Sequence, residues 1–229
     1  MKQSMSSRDM ASQHKAILGM ANQNLYSQKP CIFCQQENIK DEILWESENF
    51  FVKVGIGLLA PGHVMIISKR HFRCFGELPS DLHGEFLAVK KQVHEKVREL
   101  FSEPVIYEHG IYSQSVHHAH MHLVPRSTGP YALSNMHGRI FNGLPSQKVP
   151  SVQAVAEALR MFGSYIFLEE DGGAWIYNTK DAAPQAYTFR KEFGRLSGLT
   201  GLINWRTLAG EDLERDKEWI EATKQKWAR

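Results

Sequence analysis

The alternation His118-Ala119-His120-Met121-His122-Leu123 constrains the fold more than any other stretch of the chain. Along an extended strand, successive side chains point to opposite faces. One face then carries a row of three imidazoles, and the other presents apolar groups to a core. A helix would scatter the histidines around its circumference. Pro125 ends the strand, because it lacks the N–H that a ladder needs. A strand with solvent-facing histidines, or a metal-chelating tract, fits the same letters. An active-site strand explains more of them: one neutral imidazole attacks while its neighbours orient it and handle protons.

The flanking sequence supplies the partners of such a strand. Ile43–Ser47 and Phe50–Val54 read as strands around the polar turn Glu48-Asn49, and Pro61–Ser68 as a turn running into a buried strand. A helix opens near Ser80, a candidate cap, with Leu82, Phe86, Val89, Val93, Val97 and Leu100 as its core-facing stripe. His83 and His94 fall on its other faces. Val105–Glu108 is a further short strand.

The chain has 229 residues, 42% of them apolar, enough for one large domain or a smaller one with an extension. A net charge of +2 gives no electrostatic argument for or against nucleic acid. No apolar run approaches a membrane span, and the first residues lack the apolar core of a signal peptide. With three cysteines a disulfide framework is not expected, which points to a reducing compartment. The pair Cys31-Ile32-Phe33-Cys34 reads as a zinc half-site, a redox pair or two structural thiols. Cys74 reads as a plain buried thiol.

His118-Ala119-His120-Met121-His122-Leu123-Val124, with the lead-in Gln114-Ser115-Val116, resembles the motif of the histidine triad (HIT) superfamily at every position. The resemblance covers roughly residues 30–126. It implies an α+β fold, a HIT-like antiparallel sheet with packed helices, here followed by an α/β C-terminal extension. It also implies attack by the middle histidine, His120, on the α-phosphorus of a nucleotide conjugate, through a covalent nucleotidyl-histidine. The outcome is a nucleotide hydrolase or nucleotidyltransferase. His118 and His122 complete the triad. Pro61-Gly62-His63 resembles the step bearing the family's fourth histidine, so His63 is expected to join the hydrogen-bond network of the site. Gln114 and Ser115 are expected to meet phosphate oxygens, with a protonated imidazole sharing that charge. By the same resemblance, Cys31, Cys34, His71 and His118 would hold a structural zinc, and no catalytic cofactor is expected. Two departures stand out. Val54-Gly55-Ile56-Gly57 lacks the acid or amide that usually holds the ribose, and the loop Glu108–Ser113 is compact.

The expected organisation is a polar lead-in over 1–28, a catalytic domain over 29–130 and an extension over 131–229 packed on it. In the extension, Ser151–Phe162 reads as a capped helix, and Tyr165–Glu169 with Ala174–Tyr177 as a hairpin. Phe189–Leu196 and residues 211–228 read as further helices. Tyr165–Glu169, Phe189-Arg190 and Asn204-Trp205-Arg206 loosely resemble the C-terminal part of CwfJ-type proteins, which are tied to splicing and lariat processing. That resemblance implies an RNA-binding or RNA-processing module as the alternative function, with RNA as partner and a nuclear rather than cytoplasmic location. A homodimer is compatible with the HIT resemblance. Arg190, Arg195 and Arg206 read as solvated side chains rather than cleft residues.

Overall fold

The computed structural model describes residues 31–126, 136–141, 143–183, 188–197 and 204–229. The lead-in expected over 1–28 lies outside the described residues, as does part of the connection after the triad. Short 3-10 turns between Ile32 and Glu42 bring the chain to β1 (Ile43–Glu46) and β2 (Phe50–Val54). Next come β3 (Val64–Ser68), α1 (His83–Leu100), β4 (Pro104–Gly110) and β5 (His120–Pro125). The remainder is α2 (Met136–Arg139), β6 (Ser146–Val149), α3 (Val155–Phe162), β7 (Tyr165–Glu170), β8 (Gly173–Asn178), α4 (Thr188–Ser197) and α5 (Gly210–Trp227).

Among the described residues the strands form one antiparallel sheet in the order β1-β2-β3-β5-β4-β7-β8-β6. Helices pack on it, so the architecture is α+β. The expected strands and the second hairpin all form. The hairpin turns through Asp171 and Gly172, with φ of 49° and 71°. That mirror-image turn matches the twist of the flanking strands, and the glycine adopts it without steric cost.

The period-two alternation divides the sheet into two faces. Val52, Ile66, Ile106, Met121, Leu123 and Phe167 enter a core with Phe86, Val89, Val93 and Val97 of α1 and with Val155 and Ala158 of α3. Each such side chain, fully buried, contributes about 1.5–3 kcal/mol. Tyr107, Val124, Ile166 and Leu168 face the other way, onto Phe189 and Phe193 of α4. Ser80 does not cap α1: a 3-10 turn, Ser80–Leu82, precedes the helix, and neither start has a side-chain cap. The Ser151 hydroxyl does accept from the Gln153 N–H, at 3.3 Å. His83 and His94, off the core-facing stripe of α1, each find a partner. His83 lies 2.9 Å from the Leu78 carbonyl, and His94 lies 2.8 Å from the Glu103 carboxylate.

Candidate active site

Register places the site on the face opposite α1. Lys53 pairs with Met65, Met65 with His122, His122 with Tyr107, and Tyr107 with Leu168. One cross-strand row therefore brings a lysine, a histidine and a tyrosine together on β2, β5 and β4. The adjacent row pairs Phe51 with Ile67 and Ile67 with His120. His120 and His122 thus share one face, as the alternation predicts, while Ala119, Met121 and Leu123 are buried on the other.

His118 departs from the expected row. β5 begins at His120, and the chain bends just before it: the Ala119 N–H donates to the Phe72 carbonyl at 2.7 Å. The His118 imidazole is carried away from the cleft towards two cysteines. Its Nδ1 lies 3.4 Å from Cys31 Sγ and 3.6 Å from Cys34 Sγ, and Cys34 Sγ lies 3.3 Å from His71 Nδ1. The donor atoms of these four residues lie within 4.8 Å of one another. Bond lengths for tetrahedral zinc predict S···N separations of about 3.6 Å, so the donors fit that ion. The His118 Nε2–H donates to the Ser68 carbonyl at 2.7 Å, which leaves the Nδ1 lone pair facing the cysteine sulfurs.

Backbone contacts fix the tautomers of the other histidines. Nδ1–H of His120 donates to the His118 carbonyl at 2.6 Å, so its Nε2 keeps a lone pair. The Leu59 N–H donates to His63 Nδ1 at 3.2 Å. The His63 proton therefore sits on Nε2, 3.0 Å from His122 Nδ1, and is donated there. The remaining proton of His122 is on Nε2. Burial is the main cause that pushes His63 and His122 well below the ordinary histidine value, His118 to about 4, and His120 down as well. All four are neutral at pH 7.

His120 and His122 open onto a cleft. Phe33, Ile39, Met65 and Val116 form an apolar part of its wall, and Ser113 and Ser115 line it too. Gln114 is not among the lining residues; its Nε2 donates to the Arg73 carbonyl at 2.9 Å. In the loop before Ser115, Ile111 and Ser113 adopt φ of 74° and 57°. A β-branched residue in that region is strained by about 1–3 kcal/mol, and such strain clusters at functional sites.

Lys53, Glu42, His109 and Arg190 also line the cleft and were not named from sequence as site residues. Lys53 is 3% exposed, and its ammonium lies 2.5 Å from Glu42, which also lines the cleft. Burial lowers the Lys53 pKa despite that partner. His109 donates from Nδ1 to the Tyr112 carbonyl at 3.1 Å, and burial takes it down to about 4. Arg190 corrects the expectation of a solvated arginine. It is 9% exposed, lines the cleft, and donates from Nη1 to the Gly57 carbonyl at 2.6 Å. The signal for Lys53 was present: a lone charge inside the apolar strand Phe50–Val54. Nothing in the local pattern of α4 distinguishes Arg190. Arg206 is exposed; it donates to the Ser115 carbonyl at 3.0 Å and lies over the Trp205 ring. The Arg195 side chain lies outside the described residues.

The loop that carries His63 is fastened from the C-terminal part of the chain. Asp216 of α5, 2% exposed, accepts from the Gly57 and Leu58 N–H groups at 2.9 and 2.6 Å. Thr223 Oγ1 accepts from the Gly62 N–H at 2.9 Å. Gly57 has φ of 66°, and a Cβ there would collide with the Cβ of Trp205, so only glycine fits.

Residues 36–129 match the HIT domain family. The chain is 29% identical over 104 residues to an uncharacterized HIT-like protein of Methanocaldococcus jannaschii, covering 43% of this chain and 81% of that protein. It is 32% identical over 101 residues to adenosine 5'-monophosphoramidase of Saccharomyces cerevisiae, covering 42% and 62%. A solved histidine triad nucleotide-binding protein of Sulfolobus tokodaii aligns with 43% of this chain and 70% of its own, at 25% identity and a TM-score of 0.39. The matched HIT segment includes His63, His71 and the triad but ends before β6. Cys31 and Cys34 precede it, and Arg190, Trp205 and Asp216 follow it. No helix among the described residues is long and apolar enough to cross a membrane.

Proposed function

We propose that the chain is a HIT-type nucleotide hydrolase or nucleotidyltransferase acting through a covalent intermediate on His120. The observation that carries this reading is the tautomer of His120. Its proton is held on Nδ1 by the His118 carbonyl, which leaves Nε2 to attack from the wall of the cleft. In the first step the bond from Nε2 to the α-phosphorus forms and the bond to the leaving group breaks. The imidazole becomes a nucleotidyl-imidazolium, stabilised by the His118 carbonyl. The Nε2–H of His122 donates a hydrogen bond to the phosphoryl oxygens, the leaving group takes its proton from solvent, and the His63 bond to Nδ1 holds that ring in place. Ser115 gives a further donor at the cleft wall. Water or a second substrate then takes the nucleotidyl group and regenerates neutral His120. The relative named as a monophosphoramidase supports this class of chemistry. Gln114 would need to turn from Arg73 to reach a phosphate.

Cys31, Cys34, His71 and His118 are proposed to hold one structural zinc. The ion would fasten the segment before β1 to the turn before β5 and present the His118 carbonyl to His120. It takes no step in the reaction.

Turnover of a small panel tests the proposal: an adenosine phosphoramidate, a dinucleoside polyphosphate, a capped RNA end and an adenylylated DNA end. Wild type is expected to turn over at least one member, and His120→Ala, with an unchanged circular dichroism spectrum, none. Equal turnover by the variant overturns the mechanism. Tight RNA binding without turnover of any member would favour the CwfJ-like alternative.

A further inference from the structure

The covalent route leaves one proton unassigned. Water that attacks the nucleotidyl group must lose a proton as its oxygen bonds to phosphorus. His120 recovers only its own electron pair, and its remaining proton is held on Nδ1 by the His118 carbonyl. His122 faces the cleft with an Nε2–H, so it donates there rather than accepts. Glu42, the carboxylate residue among those lining the cleft, is paired with Lys53 on β2, which β3 separates from β5. His109 is the remaining imidazole of the wall.

The fold presents His109 as an acceptor. On β4 it follows Tyr107 on the same face, and Tyr107 pairs with His122. One same-face step further along the antiparallel pair sets His109 beside His120. Side chains opposed in that way have Cβ atoms about 4.5–5.5 Å apart. The Nδ1–H of His109 goes to the Tyr112 carbonyl at 3.1 Å, which leaves the lone pair on Nε2. Tyr112 lies between Ile111 and Ser113, the two residues of this loop with positive φ, so the strained loop also sets the tautomer of His109. The Tyr107 and Phe141 rings stand edge-on to the imidazole, with centroids 5.7 and 6.4 Å away. Among the described residues no group takes the Nε2 lone pair. Burial keeps His109 neutral at pH 7. An anionic nucleotide in the cleft favours the charged imidazole and so strengthens it as a base.

We propose that His109 is the general base of the second step and that the acceptor is water. This deepens the nucleotide-conjugate reading and rests on it. The oxygen of water bonds to the α-phosphorus, and the bond from phosphorus to His120 Nε2 breaks, its electron pair returning to Nε2. The water proton passes to His109 Nε2, and the imidazolium formed there releases it to solvent. An acceptor that is already anionic, such as a phosphate, brings no proton to remove. A base at this place therefore makes the chain a hydrolase rather than a transferase.

Adduct kinetics on the full chain test this, with adenosine 5'-phosphorimidazolide as the probe. His109→Asn keeps an amide N–H for the Tyr112 carbonyl and removes the Nε2 lone pair; His109→Ala is the second variant, and circular dichroism checks the fold of both. Mass spectrometry follows the adduct on His120. In His109→Asn its formation is expected within about threefold of wild type, and its hydrolysis at least about a hundredfold slower. Fluoride, an anion with no proton to lose, is expected to discharge the adduct of wild type and variant at equal rates. Hydrolysis of the adduct at the wild-type rate in either variant overturns the base. So does equal slowing of both steps, or fluoride discharge slowed as much as hydrolysis, since an imidazole that only shapes the loop gives those patterns. A wild type that forms no adduct overturns the covalent reading and the base with it, a result seen before any variant is made.

Discussion

At the scale of residues, the chemistry of the site follows from where four histidines leave their protons. Each is fixed by a backbone group: the Ser68 carbonyl for His118, the His118 carbonyl for His120, and the Leu59 N–H for His63 and, through it, His122. The alternation of imidazoles in the sequence made the face legible, but not these assignments, because they depend on where distant carbonyls and amides come to lie. The alternation alone puts His118 in the same row, whereas its place beside Cys31, Cys34 and His71 was expected from the HIT resemblance, and the chain brings those four residues together just before β5. Outside the site, Glu108 shows the same dependence. It accepts from the Phe75 N–H and the Tyr165 hydroxyl, both at 2.7 Å, and burial raises its pKa to about 7. The native state then holds a proton that the unfolded chain gives up at lower pH. Stability therefore falls as pH rises from the ordinary glutamate range through about 7, by roughly 3 kcal/mol in all. Glu108→Gln is expected to flatten that slope, as read from urea midpoints between pH 5 and 8. An unchanged slope would show that Glu108 is ionised throughout.

At the scale of elements, α5 is the surprise. Its sequence reads as a charged helix with Trp219 and Trp227 as apolar contacts, and Trp227 is indeed buried. Asp216 looks like one more surface acid in that helix, yet it receives two backbone amides of the loop between β2 and β3. No local pattern can reveal such a contact, since its partners lie about 160 residues away in the chain. The strands and the stripe of α1 were legible because their periodicity is local. Asp216→Ala should cost about 2–4 kcal/mol, because it leaves two buried N–H groups unpaired. It should also lower kcat more than it raises KM, because the loop it fastens sets the His63 contact to His122. A loss of stability with kcat unchanged would confine Asp216 to a structural role.

At the scale of the whole molecule, the sheet does not stop where the HIT segment does. β7 pairs with β4 on the far side of the triad strand, and β8 and β6 continue the same sheet. Residues on both sides of the matched segment reach the site: Cys31 and Cys34 beside His118, and Arg190 and Trp205 at the cleft. The division at residue 130 suggested by the sequence is useful for tracing the motif, but the cleft draws on both sides of it. The proposed metal site at Cys31, Cys34, His71 and His118 would add a second long-range tie. Metal analysis of purified protein should find one zinc per chain, lost in Cys31→Ser together with several degrees of thermal stability. A metal-free wild type of equal stability would end that claim.

The measurement that reaches the central claim most directly is capture of the covalent intermediate. Wild type is quenched in alkali during turnover, digested and mapped by mass spectrometry. An acid-labile nucleotidyl group is expected on the peptide spanning His118–His122, assigned to His120 and absent from His120→Ala. Steady turnover with no adduct, or with the nucleotidyl group on a different residue, would contradict it.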